Sequence, residues 1–443
     1  MKKTEWFSER DSRTRAYPGA RLIDPNRSIH LDAPGPAIES YSGQVTLIVL
    51  CNLLSRMARK VSISLPQVPI VSPLPWAGAR LDEYLLQLLH EASPFGEFAL
   101  RSFREGDTLI TVGPAGTAPV VHGAGWSSYF GPAPSLLADT PETHNPIGPA
   151  FAAISAIASL YHTDFGPSIS PTVIDTLTWC RGEASRSDFV QDPELGHLWA
   201  IGVGSVGSAL LYFLTLANRS FRPTLFDMDD VQIHNLDRSP LFDDQHVGRK
   251  KVDVVADYLR SAGCKGVSAI PTAFHKAEEF KARPAGTPDV FLSAANELNV
   301  RSIIEDSYPP LQIYGTTGRS WQASLLRHVP GRDPCSCCVF PPENYRPTAC
   351  ATTQAPTSSK TTQVDAAVPF LSFAAGLMAA AEIFKLHLDG YPFSTNRVAY
   401  YSKTEGFTHA PLYPREHCIC QSRNTAVHRA ALRGAAYSTH SPF

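Results

Sequence analysis

The spacing of apolar residues divides the chain into a loosely patterned first part and a better ordered second part. Residues 1–43 are polar, rich in Pro, Asp and Arg, and carry no sustained period, so they are read as mostly irregular. From Gln44 to Lys60 apolar residues recur at both helical and strand-like spacings, and residues 61–65 (VSISL) alternate as a strand does. Leu81 to Ala92 reads as a helix and Thr108 to Val112 as a strand, followed by loops rich in Gly and Pro. Pro149 to His162 reads as an apolar, Ala-rich helix, residues 163–195 are mixed, and a domain boundary is expected near residue 185.

Beyond that boundary Leu198 to Ile201 forms a short strand that meets a Gly-rich turn. Ser208 to Asn218 is helical, Thr224 to Phe226 is a strand, Lys250 to Ala262 a helix and Val290 to Leu292 a strand. Strands alternating with helices predict an α/β fold built on a parallel sheet. Residues 341–364 are rich in Pro, Thr, Ser and Gln without periodicity, and are read as a long loop. A second Ala-rich helix starts near Val368, Arg397 to Leu412 reads as a strand pair, and the tail after Cys420 as a loose helix. The segments PAFAAISAIASLYH and FAAGLMAAAEIFKLH echo one another. They are either two buried Ala-rich helices or the trace of a duplicated half.

Composition narrows the function classes. Lys plus Arg is 39 and Asp plus Glu is 41, so the net charge is −2 and no basic excess suggests a nucleic-acid partner. The polar start, MKKTEWFSERDSRTR, is not a secretory signal, and no uncharged apolar run is long enough to predict a membrane span. Of nine Cys, Cys51, Cys180 and Cys264 are scattered, while six fall between Cys335 and Cys420. In a reduced cytoplasmic protein such clustering points to metal or chemistry rather than disulfides.

Gly202, Gly204 and Gly207 form GxGxxG between a strand and a helix. The first allows a tight turn, the second lets backbone approach a phosphate, and the third lets helix and strand pack closely. Amides and the helix N-terminus then favour phosphate. Asp227, 20 residues after Gly207, ends the next strand, where a carboxylate can hold ribose hydroxyls. The run from Asp227 to Lys251 adds Asp229, Asn235 and Arg238. A nicotinamide-dependent oxidoreductase explains the glycines and Asp227 but has no use for these. An ATP site uses the carboxylates for ribose and a metal, and the donors and two fixed charges for a triphosphate. A solvated charged loop is the plainer alternative.

This run resembles the adenylation site of the family that includes ThiF, MoeB and the ubiquitin-activating enzymes, over about residues 196–420. The family pattern is GxGxxGS, DxDxV, NLxRQ and a downstream Lys. It is matched here by Gly202 to Ser208, by Asp227, Asp229 and Val231, by Asn235, Leu236 and Arg238, and by Lys251. The resemblance implies a Rossmann-like adenylation domain over 186–443, with 341–364 as its crossover loop. It also implies ATP and magnesium as cofactors, and as reaction the adenylation of the C-terminal carboxylate of a ubiquitin-like protein. Asp227 would bind ribose, and Asn235, Arg238 and Lys251 the phosphates. Two positions depart from the pattern. Ser239 stands where the family has Gln, and Asn296 stands where it has a magnesium-binding Asp, with Glu297 or Asp229 available to compensate. Family members also use an Arg from a neighbouring half, in a motif like NRQIxL. Asn26, Arg27, Ser28, Ile29, His30 and Leu31 fit that motif and nominate Arg27, otherwise an ordinary surface Arg. Residues 1–185 would then be an inactive α/β partner half without a glycine loop, and a monomer would supply both halves. Otherwise a homodimer is needed.

Cys335 and Cys338 form CxxC, and Cys418 and Cys420 form CxC. Four thiolates make a closed tetrahedral zinc site. The family's usual second pair is CxxC, so His417 with Cys420, or Cys337, stays open as a ligand. Cys350 lies in the Thr-rich loop, where relatives carry a Cys that attacks the adenylate; it is either that nucleophile or an exposed bystander. With no sulfur-carrying domain evident, the chain resembles stand-alone activating enzymes of bacterial ubiquitin-like operons, including antiviral Bil-type ones, which hand a thioester to a conjugating enzyme. A sulfur-carrier adenylyltransferase of the molybdopterin or thiamine type, and a degenerate nucleotide-binding module, are the alternatives.

Overall fold

The computed structural model describes residues 1–116, 119–132, 137, 142–163, 170–186, 188–217, 219–278, 288–295, 300–306, 311–341, 366–390, 395–410, 413–421 and 437. Asn296, Glu297, Cys350, positions 342–364 of the expected crossover loop and all of the tail after Gln421 except Tyr437 lie outside these residues.

Two eight-stranded sheets form the frame. The first holds β1 (Ser28–Asp32), β2 (Lys60–Ser64), β3 (Glu97–Leu100), β4 (Thr108–Val112), β5 (Val120–Ala124), β6 (Ser127–Gly131), β7 (Thr172–Asp175) and β8 (Cys180–Arg181), in the order β3-β2-β1-β4-β5-β6-β7-β8. The second holds β9 (Gly196–Ile201), β10 (Phe221–Phe226), β11 (Ser268–Ile270), β12 (Val290–Ser293), β13 (Gln312–Gly318), β14 (Gln322–His328), β15 (Arg397–Tyr401) and β16 (Gly406–His409). Its order, β11-β10-β9-β12-β13-β14-β15-β16, repeats the first sheet's pattern. The sense of pairing repeats too. The strands up to β5 pair parallel and those from β5 to β8 antiparallel, and in the second sheet the change falls at β13.

The helices are α1 (Lys3–Arg10), α2 (Ser12–Arg15), α3 (Gly35–Ile38), α4 (Tyr41–Met57), α5 (Leu81–Ala92), α6 (Ile147–Thr163), α7 (Ser205–Ala217), α8 (Lys251–Ser261), α9 (Val300–Asp306), α10 (Ser336–Val339) and α11 (Pro369–Lys385). The two echoing Ala-rich segments are α6 and α11. Each joins the second and third antiparallel strands of its own sheet, so they are topological equivalents. Likewise α4 and α7 each follow the first strand of their sheet. These four helices pack on one another and bury a core common to both sheets. Every residue of α4 and of α11 is buried, including polar ones such as Arg56 and Glu382. Gly376 lets α11 approach α7 closely: a Cβ there would lie 2.6 Å from Ala209 Cβ and 2.7 Å from Leu210 N.

Three expectations change. Residues 1–43 are not irregular but contain α1, α2, β1 and α3. Trp6 and Phe7, each 1% exposed, dock α1 despite its polar composition, and Trp6 Nε1 donates to Asp244 Oδ1 at 2.7 Å. Residues 41–57 form one helix rather than a mixture of helix and strand, because a helix buried on all sides has no polar face to mark its period. The Gly- and Pro-rich stretch after β4 contains β5 and β6, and the long β13–β14 hairpin, antiparallel along its length, was not anticipated at all. Among the described residues, no helix is long and apolar enough to cross a membrane.

Candidate functional site

The site forms where β9, β10 and β12 end. Gly202 adopts φ +81° and its N–H donates to Phe226 O at 2.8 Å. A Cβ on Gly202 would lie 2.7 Å from Ala295 N, and one on Gly207 only 2.0 Å from Gly202 O. Both positions therefore need glycine for the turn and the helix–strand contact. Gly204 differs: a Cβ there would meet nothing within 4 Å. The backbone at Gly204 faces open space, and α7 begins at the next residue with its unpaired amides directed there. Among the described residues, the first sheet carries no glycine loop at the matching turn. Residues 33–40 replace the short glycine loop and include α3, whose Ala37 packs against Gly113 so tightly that a Cβ there would lie 2.5 Å from Ala37 Cβ.

Asp227, 9% exposed, ties the glycine loop to the tip of β10. Its Oδ2 accepts from Val203 N at 2.9 Å and its Oδ1 from Asp229 N at 3.0 Å. Each oxygen keeps a lone pair for a further donor such as a ribose hydroxyl. Burial pushes the Asp227 carboxyl up, while Lys251 opposes and Asp229 adds to the shift. Lys251, at the start of α8, donates from Nζ to Asp229 Oδ2 at 2.8 Å.

Asn235 ends a 3₁₀ turn, Ile233–Asn235, and its Oδ1 accepts from Gln232 N at 2.8 Å. Arg238 donates to His234 O and, at 2.7 Å, to Asp237 Oδ1. Asp237 is buried and also accepts from Thr14 Oγ1 at 3.0 Å. Ser239, at the family's Gln position, is buried, and its hydroxyl has no hydrogen-bond partner among the described residues.

His234 reports the local field. Burial, with Arg238, Arg13 and Lys251 nearby, pushes its ring down to about 3. Three cations, Arg238, Arg13 and Lys251, thus act on the ring, and their combined field favours an anion beside it. Sequence reasoning missed Arg13, which arrives from α2 with its guanidinium 3.4 Å from His234 Nε2. Its only signal was an Arg-rich stretch read as irregular. Arg27 stands immediately before β1, with its backbone N–H donating to Asp24 O at 3.0 Å. The contacts described here bring Arg13 to the site from the first half.

The four predicted thiols converge elsewhere on the second half. The sulfurs of Cys335, Cys338, Cys418 and Cys420 lie within 4.8 Å of one another. Cys335 is 3.9 Å from Cys338 and 3.5 Å from Cys418, and Cys338 is 3.5 Å from Cys420. Zn–S bonds of about 2.3 Å in a tetrahedron require S···S separations of about 3.8 Å, so the four fit zinc. The His417 side chain is 91% exposed and faces Glu416, and Cys337 lies outside the converging set. Arg415 N donates to Cys338 Sγ at 3.3 Å, and buried Glu305 Oε1 accepts from Ser336 N at 3.1 Å, holding the CxxC turn from behind.

Among known proteins, the chain is 26% identical over 148 residues to the NEDD8-activating enzyme E1 catalytic subunit of Saccharomyces cerevisiae. The match takes in 30% of this chain and 48% of that protein, so the chain spans about half the length of the curated relative it matches. Among solved structures, Escherichia coli MccB with ATP is 18% identical, covering 51% of this chain and 67% of MccB with a TM-score of 0.39. MccB with MccA-N7isoASN is 19% identical, covering 51% and 66%, again with a TM-score of 0.39. The family model for ThiF matches residues 194–422, just over half of the chain and the stretch that holds both the glycine loop and the four converging cysteines: the protein belongs to the ThiF family.

Proposed function

We propose that the protein adenylates the C-terminal carboxylate of a ubiquitin-like protein. A carboxylate oxygen attacks the α-phosphorus of ATP, the bond from that phosphorus to the bridging oxygen breaks, and pyrophosphate leaves with the electron pair. Catalysis is positioning and charge stabilisation. The observation that carries the reading is the convergence of Arg13, Arg238 and Lys251 on His234, beside a glycine loop that opens at Gly204. Asp227 receives the ribose, and Asn235, Arg238 and Lys251 the phosphates. Asp229 and Asn296 are the candidate magnesium ligands, and the metal would neutralise charge on the departing pyrophosphate. Zinc would be structural at the four cysteines.

Residues 1–185 act in this reading as an inactive partner half, supported by the repeated strand order and by the filled turn at Ala37. The Arg that this half contributes is Arg13 in preference to Arg27. One chain then supplies both halves without a homodimer. Cys350 takes the acyl group from the adenylate as a thioester, releasing AMP, and passes it to a conjugating enzyme in a bacterial conjugation pathway of the antiviral type.

The test combines the protein, ATP, magnesium and a ubiquitin-like protein with a free C-terminal carboxylate. ATP–pyrophosphate exchange dependent on that carboxylate is expected, together with a thiol-sensitive band on a non-reducing gel that Cys350→Ala abolishes. Exchange without the band favours a sulfur-carrier adenylyltransferase. ATP binding without exchange means a degenerate module.

A further inference from the structure

We infer that Arg56, in the first half of the chain, is a positioning residue for the adenylation loop of the second half; this rests on the adenylation reading above. Arg56 lies near the C-terminal end of α4 and is 3% exposed. Its guanidinium crosses into the segment 236–242. Nη1 donates to Leu236 O at 2.6 Å and to Phe242 O at 3.0 Å, and Nη2 donates to Pro240 O at 2.9 Å. Its Nε donates to Asn52 Oδ1 at 2.8 Å, and Asn52 Nδ2 donates to the same Pro240 O at 3.3 Å.

The segment so held carries Arg238, and residues 235–242 are buried throughout. It has no strand or helix ladder to satisfy its carbonyls, and buried carbonyls need partners. One planar guanidinium gathers three of them, which fixes the turn that aims Arg238. Lys cannot do this, because an ammonium lacks the rigid fork. The charge of Arg56 is offset by Asp243 and Asp237, while Arg10 opposes it. Asp237 in turn accepts from Arg238 at 2.7 Å. Arg56 thus reaches the phosphate-binding Arg through backbone and through a shared carboxylate, and touches no substrate itself.

The test is a double-mutant cycle on the full chain, read by ATP–pyrophosphate exchange with thermal melting in parallel. Arg56→Lys is expected to lower kcat by roughly 10- to 100-fold, with a smaller change in KM for ATP. In an Arg238→Ala background the same substitution should cost no more than about twofold, because residues acting as one unit are non-additive. A purely structural role would multiply the two losses, and that result overturns the inference, as does an unaffected, folded Arg56→Lys. Should Arg56→Lys fail to fold, Asn52→Ala carries the test. It removes the Nε acceptor and one bond to Pro240, and a folded Asn52→Ala with wild-type kcat also overturns the inference. A wild-type protein silent in exchange overturns the adenylation reading and this inference with it. An active wild type with unaffected variants overturns the inference alone.

Discussion

The guanidinium of Arg13 ends 3.4 Å from Nε2 of His234, although 221 positions separate the two residues in the chain. Because Arg only donates, the ring nitrogen facing it must be the unprotonated one. That contact delivers a cation from α2 to the segment that carries Arg238. Arg13→Ala is expected to lower kcat for exchange by about 10²- to 10³-fold, the scale of one lost transition-state donor. Arg27→Ala should cost less than about tenfold on the same scale. Steady-state exchange on both variants decides between them, and a larger loss at Arg27 returns the role to that residue.

Lys251→Ala should remove activity and leave the fold. The 2.8 Å pair with Asp229 involves a carboxylate whose side chain is 37% exposed, so its loss costs little stability. The expected fall in kcat/KM is about 10²- to 10³-fold, with the melting temperature moving by a few degrees at most. Normal exchange in the folded variant would remove Lys251 from the site.

The thiol cluster predicts its own stoichiometry. Metal analysis of the purified protein should find one zinc per chain, and a chelator should lower the melting temperature. Cys418→Ser should lose zinc, whereas Cys337→Ser and His417→Ala should keep it, since neither belongs to the converging set. Zinc lost in Cys337→Ser and kept in Cys418→Ser would redraw the ligands.

Acidification should act through His234. Its ring is neutral in the folded protein down to about pH 3, while the unfolded ring takes up a proton near pH 6.5. The unfolded state therefore binds more protons between those values, and stability falls as pH drops through that window, by at most about 1.4 kcal/mol per pH unit from this residue. His122 and His162, each pushed down to about 4 by burial, act in the same sense. Urea midpoints at pH 7 and pH 5 should converge more in His234→Gln than in wild type. An unchanged pH dependence would mean the ring is not held neutral.

The glycine loop, Asp227, Asn235, Arg238 and Lys251 were legible because each is defined by short spacing from its neighbours along one βαβ unit. The convergence of Cys335, Cys338, Cys418 and Cys420 was legible for the same reason, as two tight pairs. Arg13 and Arg56 were not, because their partners lie in the other half of the chain. Periodicity tells which face of an element is buried, never what it meets. The fully buried α4 even lost its period and read as an ambiguous apolar run. Conversely, α1 looked featureless because two aromatics, Trp6 and Phe7, provide its packing in an otherwise polar segment. In the second sheet, the glycines at positions 315 and 318 interrupt the alternation that would have marked β13.

The common core of α4, α6, α7 and α11 has a kinetic meaning. It tethers the element bearing Arg13 to the element bearing Lys251 within one covalent molecule, so each sees the other at a local concentration set by the linkage and independent of the amount of protein. Specific activity should accordingly stay level under extensive dilution, where a site assembled from separate subunits would fade as they part.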